Sequence, residues 1–136
     1  MNKLSYGEWL LALCVWREAR GTSMSAQKGV LHSIMNRAAH PSWWGNSLVT
    51  VITHHAKNHA GVDVWQYSSM APHDPNVCLF PTDDDIMWYQ IVSMVADPGI
   101  DPTAGATNYY STDIAEPEWA SRMTFLTSIG PFRFYR

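Results

Sequence analysis

A capped apolar helix near the N-terminus is the feature that most constrains how this chain folds. Ser5 and Glu8 stand three residues apart, the spacing of a capping box, in which the hydroxyl and the carboxylate each satisfy a free backbone N–H. The apolar run over residues 9–16 predicts that a helix follows, and Gly21 is a natural residue just beyond its C-terminus. The chain therefore begins with a helix whose apolar face must be buried.

Glu18, in the stretch "WREARGT", continues the apolar stripe of this helix. The apolar residues at positions 11, 14 and 15 lie at helical spacing from it, so all four share one face. Two interpretations stay open from these residues. Glu18 pairs with Arg17 or Arg20 and closes the helix, or burial and the helix dipole raise the pKa of Glu18 so that it carries a proton near neutral pH. A protonated glutamate is what a general acid in glycoside cleavage requires.

Composition narrows the class of protein. A chain of 136 residues with 46% apolar and 15% charged residues predicts one globular domain spanning residues 1–136. Seven Trp and six Tyr are many for this length and suit carbohydrate or other flat-faced ligands. The net charge of −3, without a Lys/Arg cluster, argues against nucleic acid as a partner.

The N-terminal apolar run does not predict export or membrane insertion. It is short, has only Lys3 as a basic residue before it, and is not followed by a small-residue cleavage site. We therefore expect synthesis in the cytoplasm without a signal peptide and no membrane insertion. The two cysteines, Cys14 and Cys78, allow one disulfide, but two buried thiols are the favoured state.

The remaining pattern predicts a mostly helical chain. Helices are expected over residues 25–39 and 48–55, and a further helix is expected to be capped by Thr82 and to start with the aspartates 83–85. Residues 56–81 are irregular, with a short strand predicted at 64–69. The tail from Pro117 has no clear period, although a short helix around Trp119 fits its sequence.

The sequence gives little support for a metal site, a catalytic nucleophile or a phosphate-binding loop. His55 and His59 have the spacing of a zinc-binding helix, but residue 56 is Ala where the motif needs Glu. The aspartates 83–85 are explained as a helix start. The chain contains no G-x-S-x-G elbow and no P-loop lysine. We therefore expect neither a metal nor a cofactor.

Two other segments combine aromatic rings with short polar side chains, as glycan-binding sites do. The first runs from Trp65 to Ser69 and reads "WQYSS", and the second runs from Thr107 to Tyr110 and reads "TNYY". In a strand, Trp65 and Tyr67 would share one face and Gln66 and Ser68 the other. The residues do not decide which face lines a cleft and which is core.

Taken together, six segments resemble the cell-wall hydrolase family typified by spore-cortex-lytic enzymes, which has close relatives in phages and prophages. They occur in the family order and cover nearly the whole chain: "WREARG" (16–21), "AQKGVLHSIMNR" (26–37), "VWQYSS" (64–69), "DPTAGATNYY" (101–110), "PEWA" (117–120) and "IGPFRFYR" (129–136). The chain departs from the family pattern in two places. Thr22 stands where an acid often follows the first segment, and Pro131 and Phe132 stand near the usual position of a histidine.

The resemblance implies an α+β fold, mostly α-helical and lysozyme-like with a small β element, that cleaves the glycan strands of peptidoglycan. It makes Glu18 the catalytic acid. It also implies substrate-binding residues on the two sides of a glycan cleft: Gln66, Tyr67 and Ser68 on one side, and Gly105, Ala106, Thr107 and Tyr109 on the other. The aromatic and polar character of the first segment adds Trp65 and Ser69 to its side.

The reaction implied is cleavage of the bond between N-acetylmuramic acid and N-acetylglucosamine. A hydrolase would need a second carboxylate, for which Asp85 and Asp101 are the internal candidates, although both also suit a cap or a turn. A single acid suits a lytic transglycosylase. Since no signal peptide is predicted, the resemblance suggests a phage or prophage endolysin that reaches the cell wall after holin-type release, and an injected or particle-borne enzyme is equally compatible. The competing interpretations are a catalytically silent glycan-binding protein and a metal-dependent amidase or peptidase on the same polymer, whose histidines would have to converge on zinc.

Overall fold

The first helix forms as its sequence predicts. The computed structural model describes residues 3–136, in which α1 spans Tyr6–Glu18. Ser5 Oγ accepts a hydrogen bond from the Glu8 N–H at 3.2 Å, and Glu8 Oε1 accepts one from the Ser5 N–H at 3.1 Å. The capping box is therefore confirmed, and Glu18 is the last residue of the helix.

Three further helices follow, with bounds that differ in part from the prediction. They are α2 (Met24–Ala39), α3 (Leu48–Ile52) and α4 (Ile86–Ala96). The predicted extension of α3 to His55 is wrong, because the chain turns at Thr53 and His55 enters a strand. Thr82 does not cap α4. Asp85 does, because its Oδ1 accepts from the Trp88 N–H while its Oδ2 accepts from the Trp16 indole.

Within residues 3–136, five short strands form two antiparallel sheets. The first is a hairpin of β1 (His55–Lys57) and β2 (Asp63–Trp65), and the second has β3 (Asn108–Ser111), β4 (Phe125–Ile129) and β5 (Phe132–Tyr135) in the order β3-β5-β4. Single 3₁₀ turns occur at Ser68–Met70, Pro75–Cys78 and Glu118–Arg122. The predicted strand 64–69 therefore ends at Trp65, whereas the short helix around Trp119 is confirmed. The predicted fold class, α+β and mostly helical, is confirmed.

The main core joins the helices to the second sheet. Fully buried side chains from α1, α2 and α4 pack with Phe134 of β5, among them Leu11, Val15, Val30, Ile34 and Ile91. Cys14 belongs to this core, whereas Cys78 is exposed, and both thiols are free. The expectation of two buried thiols is therefore right only for Cys14. Among the described residues, no helix has the length and apolar character needed to cross a bilayer.

Gly29 allows α2 and β5 to approach closely, which predicts a large effect of a small substitution. A Cβ at this position would lie 2.6 Å from Cζ of Phe134, whose ring is fully buried. We expect Gly29→Ala to lower the free energy of unfolding by about 1–3 kcal/mol through overpacking. Thermal and urea unfolding measure the change.

Gly7→Ala is the matched control, since it makes the same change in another helix. A Cβ at Gly7 would meet Leu48 at an ordinary 3.4 Å, and alanine has the higher helix propensity. This variant should be neutral or slightly stabilised. Equal stability of Gly29→Ala and the parent protein would contradict the close packing of α2 on β5.

Candidate active site

The end of α1 opens into a cleft of about 260 Å³ between the helices and the sheet. Its lining combines one carboxyl, one guanidinium, two amides and three aromatic rings: Glu18, Arg37, Gln66, Asn108, Tyr67, Tyr109 and Trp119. Glu18 is the only carboxylate among these lining residues. The helices supply Glu18 and Arg37, whereas Tyr109 and Asn108 come from β3.

Glu18 is half-buried at the C-terminal end of α1 and has no cationic partner. Within residues 3–136 it forms no ion pair, so the pairing with Arg17 or Arg20 does not occur. Arg20 instead lies over the Trp16 ring, 4.9 Å from its centroid. Burial raises the pKa of the Glu18 carboxyl, and the negative charge of Asp74 raises it further. Glu18 is thus a carboxyl that retains its proton to higher pH than an ordinary glutamate.

Two hydroxyl groups limit this rise in pKa. Tyr109 Oη donates to Glu18 Oε1 at 3.2 Å, and the Ser69 hydroxyl also faces the carboxyl. Both favour the ionised form and lower the pKa of Glu18, although less than burial raises it. Ser69 Oγ is buried without a hydrogen-bond partner within the usual distance among the described residues. The carboxyl is therefore held by one donor and approached by a second.

The aromatic packing behind Tyr109 fixes the position of its hydroxyl. Its ring packs edge-on against Phe132 with centroids 5.4 Å apart, and its centroid lies 5.9 Å from that of Phe134. Both phenylalanines are buried. Phe132 thus acts as a packing support for the tyrosine that contacts Glu18.

Arg37 forms the floor of the cleft as a buried cation without a carboxylate partner among the described residues. Its Nε donates to the carbonyl of Thr107, and its Nη1 donates to Gln66 Oε1 at 3.3 Å. With the Asn108 amide oriented so that its oxygen faces Arg37, Nη2 donates to it at 3.3 Å. One guanidinium therefore joins α2, the 64–69 segment and β3, and it orients the two amides that line the cleft.

Arg17 holds the segment that carries Ser69 against α1. It is buried, and its guanidinium donates to the backbone carbonyls of Ser69, Val77 and Leu79, with distances between 2.9 and 3.3 Å. Its guanidinium also lies 5.0 Å from the centroid of the Phe80 ring. The irregular segment from 69 to 80 is thus fastened to α1 one residue before Glu18. Arg17 therefore fixes structure at the helix end.

Neither predicted second carboxylate reaches the cleft. Asp101 accepts four hydrogen bonds, from the Thr103 N–H and hydroxyl, the Asn36 amide and the Gly105 N–H. Partial burial raises the pKa of Asp101, but these hydrogen bonds lower it overall. Asp85 caps α4. Asp74, whose charge acts on Glu18, accepts two hydrogen bonds from Asn76 and does not line the cleft.

The structure brings together some of the predicted substrate-binding residues and leaves others aside. Gln66, Tyr67 and Tyr109 line the cleft with Glu18. Trp65 stacks on His55 instead, with centroids 4.6 Å apart. The remaining predicted residues do not line it: Ser68 is exposed, Ser69 is buried beside Glu18, Ala106 lies in the core, and Gly105 and Thr107 line a separate hollow with Trp44 and Arg136.

Three lining residues, Arg37, Asn108 and Trp119, were not named as site residues from the sequence, although Asn108 lies within the "TNYY" segment. Arg37 lies on the stripe of α2 that contains Val30 and Ile34, so a cation on an apolar face was the available signal, as for Glu18. Trp119 is half-buried in the 3₁₀ turn and gave no such signal. Among residues 3–136, no three His, Cys, Asp or Glu side chains converge as a metal site would need. His55 in particular is engaged with Trp65.

The raised pKa of Glu18 predicts a pH-dependent cost to stability. Because the folded state holds this proton more tightly than the unfolded chain, stability falls as the pH rises above the unfolded value of about 4.3. Glu18→Gln removes this cost. We expect the variant to be more stable than the parent at pH 7 and equal to it near pH 3.5. Thermal unfolding across this pH range measures the difference in stability. If Glu18→Gln were more stable than the parent only at low pH, the raised pKa of Glu18 would be contradicted.

Comparison with known proteins identifies the family of this chain. Residues 21–135 match the family model for cell wall hydrolases. The chain therefore belongs to the cell wall hydrolase family, as the six sequence segments predict. The match begins just after Glu18, so it includes the cleft residues from Arg37 to Trp119 but not the carboxyl itself. No curated protein sequence matches the chain.

Two solved structures share the fold. The catalytic domain of the germination-specific lytic transglycosylase SleB from Bacillus anthracis is 24% identical with a TM-score of 0.71, and the alignment covers 100% of this chain and 99% of that one. The catalytic domain of the Bacillus cereus SleB protein is 23% identical with a TM-score of 0.67, over 100% of this chain and 94% of that one. The predicted lysozyme-like fold is thereby confirmed.

Proposed function

We propose that this protein is a peptidoglycan lytic transglycosylase that cleaves the β-1,4 bond between N-acetylmuramic acid and N-acetylglucosamine, with Glu18 as its general acid and base. The observation that carries the proposal is one half-buried carboxyl of raised pKa in a polar, aromatic cleft that no other carboxylate lines. Membership of the cell wall hydrolase family supports the substrate class. We propose that residues 1–136 form one catalytic domain for this reaction.

Protonated Glu18 starts the reaction by donating its proton to the glycosidic oxygen as the bond to the muramic C1 breaks. The C6 hydroxyl of the same muramic residue attacks C1 and closes a 1,6-anhydro ring. Glu18, now ionised, takes the proton released by that hydroxyl and returns to its starting state. Tyr109 donates to the carboxylate in between and limits the cost of its charge.

The single carboxylate favours transglycosylation over hydrolysis. A hydrolase of the two-carboxylate type places its second group about 5–10 Å from the acid, to attack C1 or to activate water. Asp101 and Asp85 are committed to loop and cap hydrogen bonds, and neither lines the cleft. In the proposed reaction the substrate supplies its own nucleophile, so no second carboxylate is needed.

Mass spectrometry of the soluble products from purified peptidoglycan tests the proposal. We expect 1,6-anhydromuramic ends from the wild-type protein and none from Glu18→Gln. Reducing muramic ends would instead identify a muramidase. An absence of fragments from the wild-type protein would overturn the enzymatic proposal and favour a glycan-binding protein. Activity that a chelator abolishes and that leaves the glycan intact would indicate a zinc amidase.

Tyr109→Phe tests the environment of the acid. It removes the hydroxyl that donates to Glu18, so the pKa of Glu18 rises further. We expect the alkaline limb of the pH–rate profile to move to higher pH and the maximal rate to fall about tenfold. An alkaline limb that stays in place or moves to lower pH would contradict the contact. Tyr110→Phe, an adjacent change outside the cleft, is the control.

The biological setting is a separate proposal that rests on the sequence resemblance. We propose that the protein acts as a phage or prophage endolysin, made in the cytoplasm and released to the wall through a holin. Expression in a bacterial host should cause lysis only when a holin is co-expressed. Lysis without a holin would overturn this setting without affecting the chemistry of the cleft.

A further inference from the structure

A second cleft of about 280 Å³ adjoins the one that contains Glu18. We call it the tryptophan cleft, and its lining residues are Trp43, Trp44, Gln66, Asn108, Trp119 and Met123. Three of these, Gln66, Asn108 and Trp119, also line the Glu18 cleft. The two clefts are therefore adjacent, with these three residues in common.

The tryptophan cleft presents an exposed ring that its neighbours hold in place. Trp43 is 57% exposed, yet its ring packs edge-on against Trp44 and His54, each with centroids 5.4 Å apart. Trp44 is fixed in turn, because its indole N–H donates to the carbonyl of Arg37 at 2.9 Å. The Arg37 guanidinium lies 5.5 Å from the centroid of the Trp43 ring. A large apolar surface is thus held rigidly in solvent, and rigid contact surfaces lose little entropy on binding.

Polar groups at the junction complement this apolar surface. Gln66 Oε1 accepts a hydrogen bond from Arg37. The side-chain NH₂ of Gln66 has no hydrogen bond among the described residues and can therefore donate to a ligand. The Asn108 amide lies beside it, oriented by the same guanidinium. Apolar rings beside fixed amide groups suit a sugar, whose ring has an apolar face and whose hydroxyl and acetamido groups form hydrogen bonds at its edge.

We propose that the tryptophan cleft binds the N-acetylglucosamine residue next to the muramic acid on which Glu18 acts, with Trp43 as the stacking platform. This inference rests on the proposed function. In a strand of alternating sugars, both neighbours of a muramic residue are N-acetylglucosamine, so the assignment holds for either direction of the strand through the clefts. Trp43 does not line the Glu18 cleft, so its contribution is to affinity for the strand.

Calorimetric binding to the catalytically inactive Glu18→Gln variant tests the proposal. The probe is a soluble, peptide-free tetrasaccharide of alternating N-acetylglucosamine and N-acetylmuramic acid. We expect Trp43→Ala in this background to weaken binding roughly tenfold, and Trp43→Phe, which keeps an aromatic face, to retain most of the affinity. Trp9→Ala is the matched control, since Trp9 is also exposed, at 46%, but lies against Trp88 away from both clefts.

The outcomes separate this inference from the function on which it rests. Weakened binding in Trp43→Ala, with unchanged binding in Trp9→Ala, supports the subsite. Equal binding by Trp43→Ala and its parent overturns the subsite while leaving the proposed reaction intact. If the wild-type protein releases no peptidoglycan fragments and the Glu18→Gln parent binds no tetrasaccharide, the function itself fails and the subsite fails with it.

Discussion

Glu18→Gln is expected to reduce the release of peptidoglycan fragments by about 10³-fold or more, because the amide has no proton to donate to the glycosidic oxygen. The substitution preserves the size of the side chain and an oxygen that accepts from Tyr109. If the variant loses activity and is also more stable at pH 7, then it is folded, and its defect is the lack of the proton that Glu18 donates. The rate of fragment release from purified peptidoglycan measures the effect.

Glu8→Gln provides the matched control for this substitution. It makes the same change in the same helix, but at the capping box, where glutamine also accepts the Ser5 N–H. Its activity should equal that of the wild-type protein. Glu18→Asp should remain strongly impaired, because its shorter side chain withdraws the carboxyl from the cleft. Activity of Glu18→Gln within tenfold of the wild-type rate would remove Glu18 as the acid.

Arg17→Met is expected to cause the largest loss of stability, about 3 kcal/mol, equivalent to a fall in Tm of about 10 °C. Methionine has a similar length but cannot donate to the carbonyls of Ser69, Val77 and Leu79. The segment that carries Ser69 would then lose its attachment to α1. We expect Arg17→Lys to recover little, because one ammonium cannot reproduce the planar fork that spans these carbonyls.

Arg20→Met is the control for Arg17→Met. Arg20 is exposed and lies over Trp16, so its loss should change the free energy of unfolding by no more than about 0.5 kcal/mol. Thermal unfolding compares the two variants. Faster amide hydrogen exchange confined to residues 69–80 in Arg17→Met would locate the effect. Equal Tm values for the two variants would contradict the anchoring role of Arg17.

Local signals predicted the first helix and the burial of Glu18 well. The capping box and the period of α1 depend on neighbours in the sequence, and the same period revealed that Glu18 lies on the buried face. The polar and aromatic segment around Gln66 and Tyr67 was also recognised, since its composition is unusual. These features can be predicted because the interactions behind them span only a few residues.

Features that depend on contacts between distant residues were predicted poorly. Thr82 and Asp85 are both acceptable helix caps by residue type. Asp85 caps α4, and its carboxylate also accepts a hydrogen bond from the Trp16 indole, which lies 69 residues away in sequence. The strands β4 and β5 were missed because they are short, and a bulge between Phe125 and Thr127 interrupts their alternation. No local pattern distinguishes such strands from an irregular tail.

The same limit applies to the cleft. The chain leaves β2 after Trp65 and enters a 3₁₀ turn, which ends the predicted alternation of side chains. Trp65 therefore stacks on His55, whereas Tyr67 lines the cleft. Arg37 reaches Gln66 and Thr107 across the fold. Its partners therefore become identifiable only once the helices and the sheet are in place.

The most direct test of this account is an NMR titration of the Glu18 side-chain carboxyl, assigned by its absence in Glu18→Gln and compared with the pH dependence of peptidoglycan cleavage. The account predicts that Glu18 titrates above the ordinary glutamate value of about 4.3, and that its pKa in the free protein coincides with the alkaline limb of kcat/KM. A Glu18 that titrates at or below the ordinary value, in a protein that still cleaves peptidoglycan at neutral pH, would contradict it.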